Sequence, residues 1–359
     1  MSDAGGQASP PTTSRSTSAT IRPTILRYLV AVAGERGVDL EPLLGAVGLD
    51  GDVLQSASLR VSYRQGSTVI RQAMTLTGDA HLGLRVGAAQ HLTAWGLMGF
   101  ALMSANTLRH AIETGVRFQN LSGAMMVWST AMEGGDLVLR ADLPDPALDP
   151  PVATFMIEEA FSSVLTLARL TVGPSLVPRL IELTLPPPAD PDVYHLVFGC
   201  PVRFAMPTSK FVLDGTWART PMPGRDPVTF ASVLHQLEQQ LDSRRHQQDL
   251  LEVLEISIAQ SLPDIPSFAE QARRHAASER TLRRRLAACD TTYEAVVDGV
   301  RRERVEHLLL RSTSTLRDIA RQVGFADERT LRRAVRRWHD TGPLQLRATL
   351  VESDRPDTG

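Results

Sequence analysis

The chain has 359 residues, 43% apolar and 22% charged, an ordinary composition for a soluble protein of two or three domains. Its net charge of −2 conceals an asymmetry: residues 268–347 carry 18 arginines and 11 acidic residues, a net +7, which leaves −9 on the remainder. Two cysteines in different regions, Cys200 and Cys289, exclude a disulfide framework, a CxxC pair and a cysteine-based zinc site.

Residues 1–20 are rich in Ser, Thr, Gly and Pro and lack an apolar h-region, so a disordered tail is expected rather than a signal peptide. No apolar run approaches the ~20 residues of a membrane span, so the expected location is cytoplasmic, away from any membrane. Helical periodicity follows over 21–35 (Ile25, Leu26, Leu29, Val30), 40–47, 63–77 (Val69, Ile70, Ala73, Leu76) and 81–89. A strongly apolar piece at 95–103 and another helix at 107–119 complete a helical subdomain. The period then changes. Two runs of strand character, 124–132 and 136–143, flank Gly134-Gly135 and predict a hairpin. After a Pro-rich break at 144–151, the nearly uncharged run 152–170 predicts a long buried helix. Strands are expected at 179–185, 201–205 and 210–213, with a short helix at 191–198. The region 21–226 is therefore expected to be α+β, helices with a small antiparallel sheet.

From 227 to 262 the pattern is helical again, one or two helices with a wholly polar middle at 242–249. Its apolar first half (Phe230, Val233, Leu234, Leu237, Leu241) suits either a dimer helix or packing onto its own domain. We read it as a connection to a third region, 263–347, with a tail at 348–359.

The third region contains a hexapeptide twice. Glu279-Arg280-Thr281-Leu282-Arg283-Arg284 is repeated as Glu328-Arg329-Thr330-Leu331-Arg332-Arg333, 49 positions on. Ser278 and Asp327 stand where a helix N-cap belongs. Leu282 with Leu286, and Leu331 with Val335 and Trp338, make one apolar stripe per helix, and the arginines fall largely outside it. Each copy is thus a short helix with a buried side and a guanidinium side, the chemistry suited to phosphate and to the major-groove edge of guanine. A second short helix precedes each copy, marked by Leu316, Ile319, Ala320 and Val323 before Gly324, and more weakly by Phe268, Ala272 and His275. Two helix-turn-helix units in series are expected. Between them, residues 292–311 predict a helix about 30 Å long, close to the roughly 34 Å turn of B-DNA. That length places two recognition helices in successive major grooves.

SERTLRRRL (278–286), VRRERVEHLLL (300–310), TLRDIARQVGFADERTLRRAVRRW (315–338) and Gly342-Pro343 with Arg347 resemble the DNA-binding domain of AraC-type (AraC/XylS) transcription regulators. GDAHLGLRVGAAQ (78–90), WGLMGFALMSANTLRHAIETGVRFQ (95–119) and FGCPVRFAMPTSKFVLD (198–214) resemble the long N-terminal, arabinose-binding-like effector domain of one subgroup. The chain departs from the family pattern at Ala276, where glycine is usual, and at Leu331, Val335 and Leu346, where aromatic residues are usual. The resemblance implies a sensor that binds a small effector and can dimerise, coupled to a two-unit reader of double-stranded DNA. It also implies activation through RNA polymerase.

Arg280, Arg283, Arg329 and Arg332 are the expected base readers, and Arg284, Arg333 and Arg336 the expected phosphate contacts. Glu279 and Glu328 suit cytosine amino groups or, better, the helix ends. Trp95, Phe100, Phe118, Trp128, Phe155 and Met156 suit the core of the N-terminal domain better than an effector pocket. Arg85, Arg117 and Arg140 suit either an acidic effector or plain surface. No catalytic motif is present: GxSxG, HExxH, GxxxxGK[ST] and a strand-borne GxGxxG are all missing. No cofactor or metal is therefore expected, and the expected function is transcription regulation rather than catalysis. The rival readings are an enzyme addressed to DNA by its C-terminal domain and an effector-independent DNA binder.

Overall fold

The computed structural model describes residues 19–353 except 22, 50, 57–58, 123–124, 145–147 and 290. Residues 1–18 of the expected tail, Ala124 of the expected hairpin, part of the Pro-rich break and the final six residues lie outside the described set. The chain divides into two compact units, 1–241 and 242–359.

The first unit opens with strand β1 (Ala19–Ile21), then α1 (Thr24–Glu35), α2 (Glu41–Ala46), α3 (Gly51–Leu54) and β2 (Val61–Ser62), which pairs with β1. Helix α4 (Tyr63–Thr77) begins with a reciprocal cap. Ser62 Oγ accepts from the Gln65 amide at 3.2 Å, and Gln65 Oε1 accepts from the Ser62 amide at 2.9 Å. It ends at Gly78, whose φ of 60° is the left-handed conformation that favours glycine. Helix α5 (Leu82–Ala88), a 3₁₀ turn (Leu92–Trp95), α6 (Leu97–Ser104), α7 (Leu108–Arg117) and α8 (Gln119–Ser122) follow. The apolar piece expected at 95–103 is thus split at Gly96, whose φ is 56°.

The hairpin forms as β3 (Val127–Glu133) and β4 (Asp136–Asp142). Both turn glycines, Gly134 and Gly135, have positive φ, which is why the strands reverse there. Helix α9 (Pro150–Val172) then crosses the unit, followed by β5 (Leu180–Glu182), α10 (Asp192–Phe198), β6 (Val202–Arg203), β7 (Ser209–Leu213) and α11 (Gly215–Ala218). The five strands lie in the order β3-β4-β7-β5-β6. The sheet is mixed rather than purely antiparallel: β5 and β6 run parallel, because α10 carries the chain back across between them. Opposite each other on β5 and β7, Glu182 and Lys210 form an ion pair at 2.8 Å.

Helix α9 organises this unit. On length and composition it is apolar enough to cross a membrane, contrary to the expectation that no run reaches spanning length. However, 72% of that apolar stretch is buried within the unit. It lies tight against α5, through glycine. A β-carbon on Gly83 would sit 2.4 Å from the Phe155 carbonyl oxygen, and one on Gly87 2.4 Å from that of Glu159. The four-residue spacing of these glycines gives α5 one bare face, and the two backbones close onto it. The contact carries two consecutive buried glutamates. Glu158 accepts from Tyr194 Oη at 2.6 Å and lies 2.9 Å from His81 Nδ1, while Glu159 accepts from Gln90 Nε2. Ser162 Oγ donates to the Leu84 carbonyl at 2.7 Å.

Residues 227–262 form a single unbroken helix, α12 (Pro227–Ser261). Its first half is not a free dimer helix: Phe230, Val233 and Leu237 are buried in the core of the first unit. Its second half supplies Leu254 and Ile258 to a core of the second unit. That unit continues with α13 (Phe268–Arg274), α14 (Glu279–Ala287), α15 (Tyr293–Arg311), α16 (Leu316–Gln322), α17 (Glu328–His339) and α18 (Pro343–Ser353). Helix α18 carries regular structure through 348–353, where a tail was expected.

Two separate cores share α15 as a spine. Tyr293, Val296 and Val300 face α12, α13 and α14, while Val305, Leu308 and Leu309 face α16, α17 and α18. At 19 residues, α15 is about 28 Å long.

Candidate functional site

Helices α13 and α14 form one helix-turn-helix unit and α16 and α17 the other, as the repeated hexapeptide requires. The caps are those the sequence indicates. Ser278 Oγ accepts from the Thr281 amide at 3.2 Å, and Asp327 Oδ1 from the Thr330 amide at 2.7 Å. The Thr330 amide holds the Asp327 carboxyl below its ordinary range, and the fields of Arg333 and Arg329 add to this. Leu282 and Leu286, and Leu331 and Val335, are buried, so each helix presents its other side outward.

The turns before the two recognition helices start alike, although the second is one residue longer. Ala276 takes φ 46° and Gly324 takes φ 76°. In the first turn, Ala276 N–H donates to Arg273 and Ala277 N–H to Ala272; in the second, Gly324 N–H donates to Arg321 and Phe325 N–H to Ala320. This is the left-handed helix ending in which glycine is usual, and the first unit achieves it with alanine.

The arginines of the two hexapeptides divide into two classes. Arg280 and Arg284 on α14, and Arg329, Arg333 and Arg336 on α17, are exposed and donate to no protein group among the described residues. The corresponding pair Arg283 and Arg332 is also exposed but engaged by other residues of the chain. Arg283 lies 5.3 Å from the Phe268 ring centre. Arg332 donates from Nε and Nη2 to Glu328 Oε1, at 2.9 and 2.6 Å. Glu328 and Glu279 occupy the first turn of their helices, where a negative charge suits the dipole.

Two structural residues, Arg301 and Asp298, escaped the sequence reading, and a third, Arg347, entered it only as a family marker. Arg301 on α15 donates to the Val323 and Gly324 carbonyls at 3.0 and 2.7 Å and stacks 4.8 Å over Phe325, so it closes the C-terminal end of α16. Asp298, one turn earlier, takes Arg337 at 2.5 Å and the Trp338 indole at 2.7 Å. Arg347 on α18 donates to Leu309 and Ser314. Together they strap the second helix-turn-helix unit to the spine. Only the tertiary structure distinguishes Arg301 and Arg337 from the arginines left free.

The first unit contains a half-open pocket, with about 150 Å³ of interior volume, between α6, α7, α9 and the sheet. Trp95 and Trp128 line it, whereas Phe118, Phe155 and Met156 are ordinary buried core and Phe100 is 52% exposed. Arg85, Arg117 and Arg140 do not line it; each pairs on the surface, with Asp79, Glu238 and Glu133 respectively. Among the described residues Glu159 is the one acidic residue in the wall. Burial pushes its carboxyl up to about 8, against the opposing effect of the Gln90 hydrogen bond.

The N-terminal arabinose-binding domain model of AraC transcription regulators matches residues 37–222, and a helix-turn-helix domain model matches 271–349. The chain therefore belongs to the AraC family of transcription regulators: an effector-binding N-terminal domain joined to a DNA-binding helix-turn-helix domain. Among similar proteins, the ornithine utilization regulator of Pseudomonas aeruginosa is 28% identical over 316 residues, covering 88% of this chain and 92% of that one. An uncharacterized helix-turn-helix regulator of Mycobacterium tuberculosis is 26% identical over 338 residues, covering 89% and 94%. The crystal structure of the regulator CdpR from Pseudomonas aeruginosa aligns with a TM-score of 0.48 at 23% identity, over 90% of this chain and 98% of that one.

Proposed function

We propose that this regulator is a sequence-specific, effector-responsive activator that sets α14 and α17 into two successive major grooves. The observation that carries this reading is the shared spine. Two capped recognition helices, each with an outward guanidinium face, are packed against the two halves of one helix about 28 Å long, near the roughly 34 Å repeat of B-DNA. Arg280 and Arg329 are the leading base readers and Arg284, Arg333 and Arg336 the phosphate contacts. Arg283 and Arg332 join the readers by leaving Phe268 and Glu328. The first unit holds a small-molecule effector. It acts by binding one arrangement of the chain better than another, and its output is recruitment of RNA polymerase at a neighbouring promoter in the cytoplasm. A homodimer on paired sites fits the same scheme.

The test is a footprint of the full chain on its own upstream DNA over a salt series. Protection of two major-groove segments one helical turn apart is expected, with both lost together in an Arg280→Ala, Arg329→Ala double variant. Protection of a single groove would sink the two-groove reading. Binding that is sequence-blind and abolished by modest salt would reduce it to a basic face.

A further inference from the structure

We propose that the cavity of the first unit takes an uncharged, largely apolar small molecule, about one ring in size and bearing a single hydrogen-bonding group, and that it rejects carboxylates, ammonium ions and sugars. This rests on the reading of that unit as the effector-binding one, and names the chemical class of its ligand.

Size comes first. The pocket is half open, and its interior of about 150 Å³ matches the volume at which an apolar hole in a protein core accepts benzene, so the buried part of the ligand is about one ring. The walls come from Met98, Trp128, Leu139, Phe211 and their apolar neighbours, which offer dispersion contacts and little else.

The polar side chains in the wall are already committed. Gln119 spends both ends of its amide on the Trp128 backbone, donating to its carbonyl at 3.0 Å and accepting from its N–H at 2.7 Å. Ser122, Ser163 and Thr171 each donate back into their own helices, to the carbonyls of Gln119, Ala160 and Ala168. The three hydroxyls have spent their donor hydrogens and can only accept, so the many donor and acceptor groups of a sugar would outnumber the partners left, and each orphaned hydroxyl opposes binding.

Charge is excluded by the same wall. Among the described residues no arginine, lysine or histidine lines the pocket, so a carboxylate buried in it would lack a counter-charge. The one acidic group, Glu159, is held neutral by burial and oriented by Gln90, so a cation meets a carboxylic acid rather than an anion. What remains for a ligand is hydrogen bonding of a neutral kind. Glu159 is in the wall, and so is Trp95, whose indole nitrogen is buried without a partner among the described residues. Two such groups suffice for one hydroxyl, carbonyl or ether oxygen.

Four probes of comparable size separate the classes: benzyl alcohol, benzylamine, benzoate and L-arabinose, each titrated into the full chain by thermal unfolding and calorimetry. Benzyl alcohol is expected to raise the melting temperature of the first unit saturably, on the order of 3 °C at about ten times its Kd; the other three should leave it unmoved. Ala160→Phe, which fills the cavity, should abolish the shift. Ala168→Leu, a smaller filling, replaces it if that variant does not fold. A saturable response to benzoate, benzylamine or arabinose that equals or exceeds that to benzyl alcohol overturns the proposal, as does silence to all four. The same preparation is tested for binding to its upstream DNA with and without benzyl alcohol. Intact DNA binding beside silence to all four probes fails the ligand class alone. A saturable benzyl alcohol shift with no change on any DNA supports the class and fails effector control.

Discussion

Arg332 is held in the free protein by Glu328, one turn before it on α17, with two guanidinium nitrogens on a single carboxylate oxygen at 2.9 and 2.6 Å. Both residues are exposed enough for the pair itself to add little stability. On the proposed reading Arg332 exchanges this carboxylate for a base edge, so a wrong base competes with Glu328. Glu328→Gln should therefore raise affinity for unrelated DNA several-fold and narrow the gap to the specific site. Arg332→Ala should cost roughly 1–3 kcal/mol on the specific site alone. Fluorescence anisotropy on matched and scrambled duplexes checks both. Equal losses on both duplexes for Arg332→Ala would remove it from base reading.

Arg301 and Arg333 carry the same charge and should fail in different ways. Arg301→Ala removes two bonds to backbone carbonyls and the stacking on Phe325. It should lower the stability of the second unit by about 2 kcal/mol while leaving the salt dependence of DNA binding unchanged. Arg333→Ala should leave the melting temperature in place and reduce the salt slope by about one. Thermal melts beside a salt titration separate the two.

Ala276 adopts the left-handed conformation that Gly324 adopts in the other unit. For an L-residue this costs about 1–2 kcal/mol, offset in part by the entropy glycine would lose on folding. Ala276→Gly should stabilise the second unit by up to about 1 kcal/mol, visible as a rise of a few degrees in its melting temperature. The reverse change, Gly324→Ala, should destabilise more strongly, because its β-carbon would also meet the Pro263 carbonyl oxygen at 2.5 Å. A melting temperature that falls for Ala276→Gly would show that the strain is illusory.

These cases mark what the sequence could reveal. The recognition helices were legible because cap, apolar stripe and arginine face are local properties of nine to twelve residues, and because the hexapeptide states them twice. Most elements of the first unit were legible for the same reason. The parallel β5–β6 pair was not, since strand direction is set by where α10 returns the chain. The free and engaged arginines were not separable either: Arg283 and Arg332 differ from Arg280 and Arg329 only through Phe268 and Glu328. In the first unit, nothing in the residue pattern distinguishes Trp95 and Trp128, which line the cavity, from Phe118 and Phe155, which are simply core.

The glycines of α5 should tolerate no side chain. Gly87→Ala would bring a β-carbon to 2.4 Å from the Glu159 carbonyl oxygen and 2.7 Å from Ser162 Cβ. Forcing the helices apart should cost about 1–3 kcal/mol or more and disturb the adjoining cavity. Urea denaturation of the full chain measures the loss, and an unchanged midpoint for the first transition would contradict the close packing.

Stability of the first unit should fall as pH rises. Folded Glu159 keeps its proton up to about 8, whereas the unfolded chain releases it near 4.5. Between those values the unfolded state is favoured progressively, by an order of 3–5 kcal/mol in total, and above pH 8 the effect is level. Burial raises Glu158 as well, against the hydrogen bonds from Tyr194 and His81, and it adds to the same slope. Glu159→Gln, which keeps the shape and removes the titration, should flatten part of the decline in melting temperature across this range. A parallel slope in the variant would assign the whole effect to other groups.

The cross-strand partner of Glu182 is the chain's single lysine. Histidine aside, every basic side chain of the second unit is thus a guanidinium, which acetyltransferases that neutralise lysine do not modify. The second unit contains no lysine at all, so the positive face of this regulator is closed to that form of control. For the experimenter the same fact is an opening. Amine-reactive dyes and crosslinkers have one side-chain target, Lys210, which lies in the sensor and leaves both recognition helices unmarked.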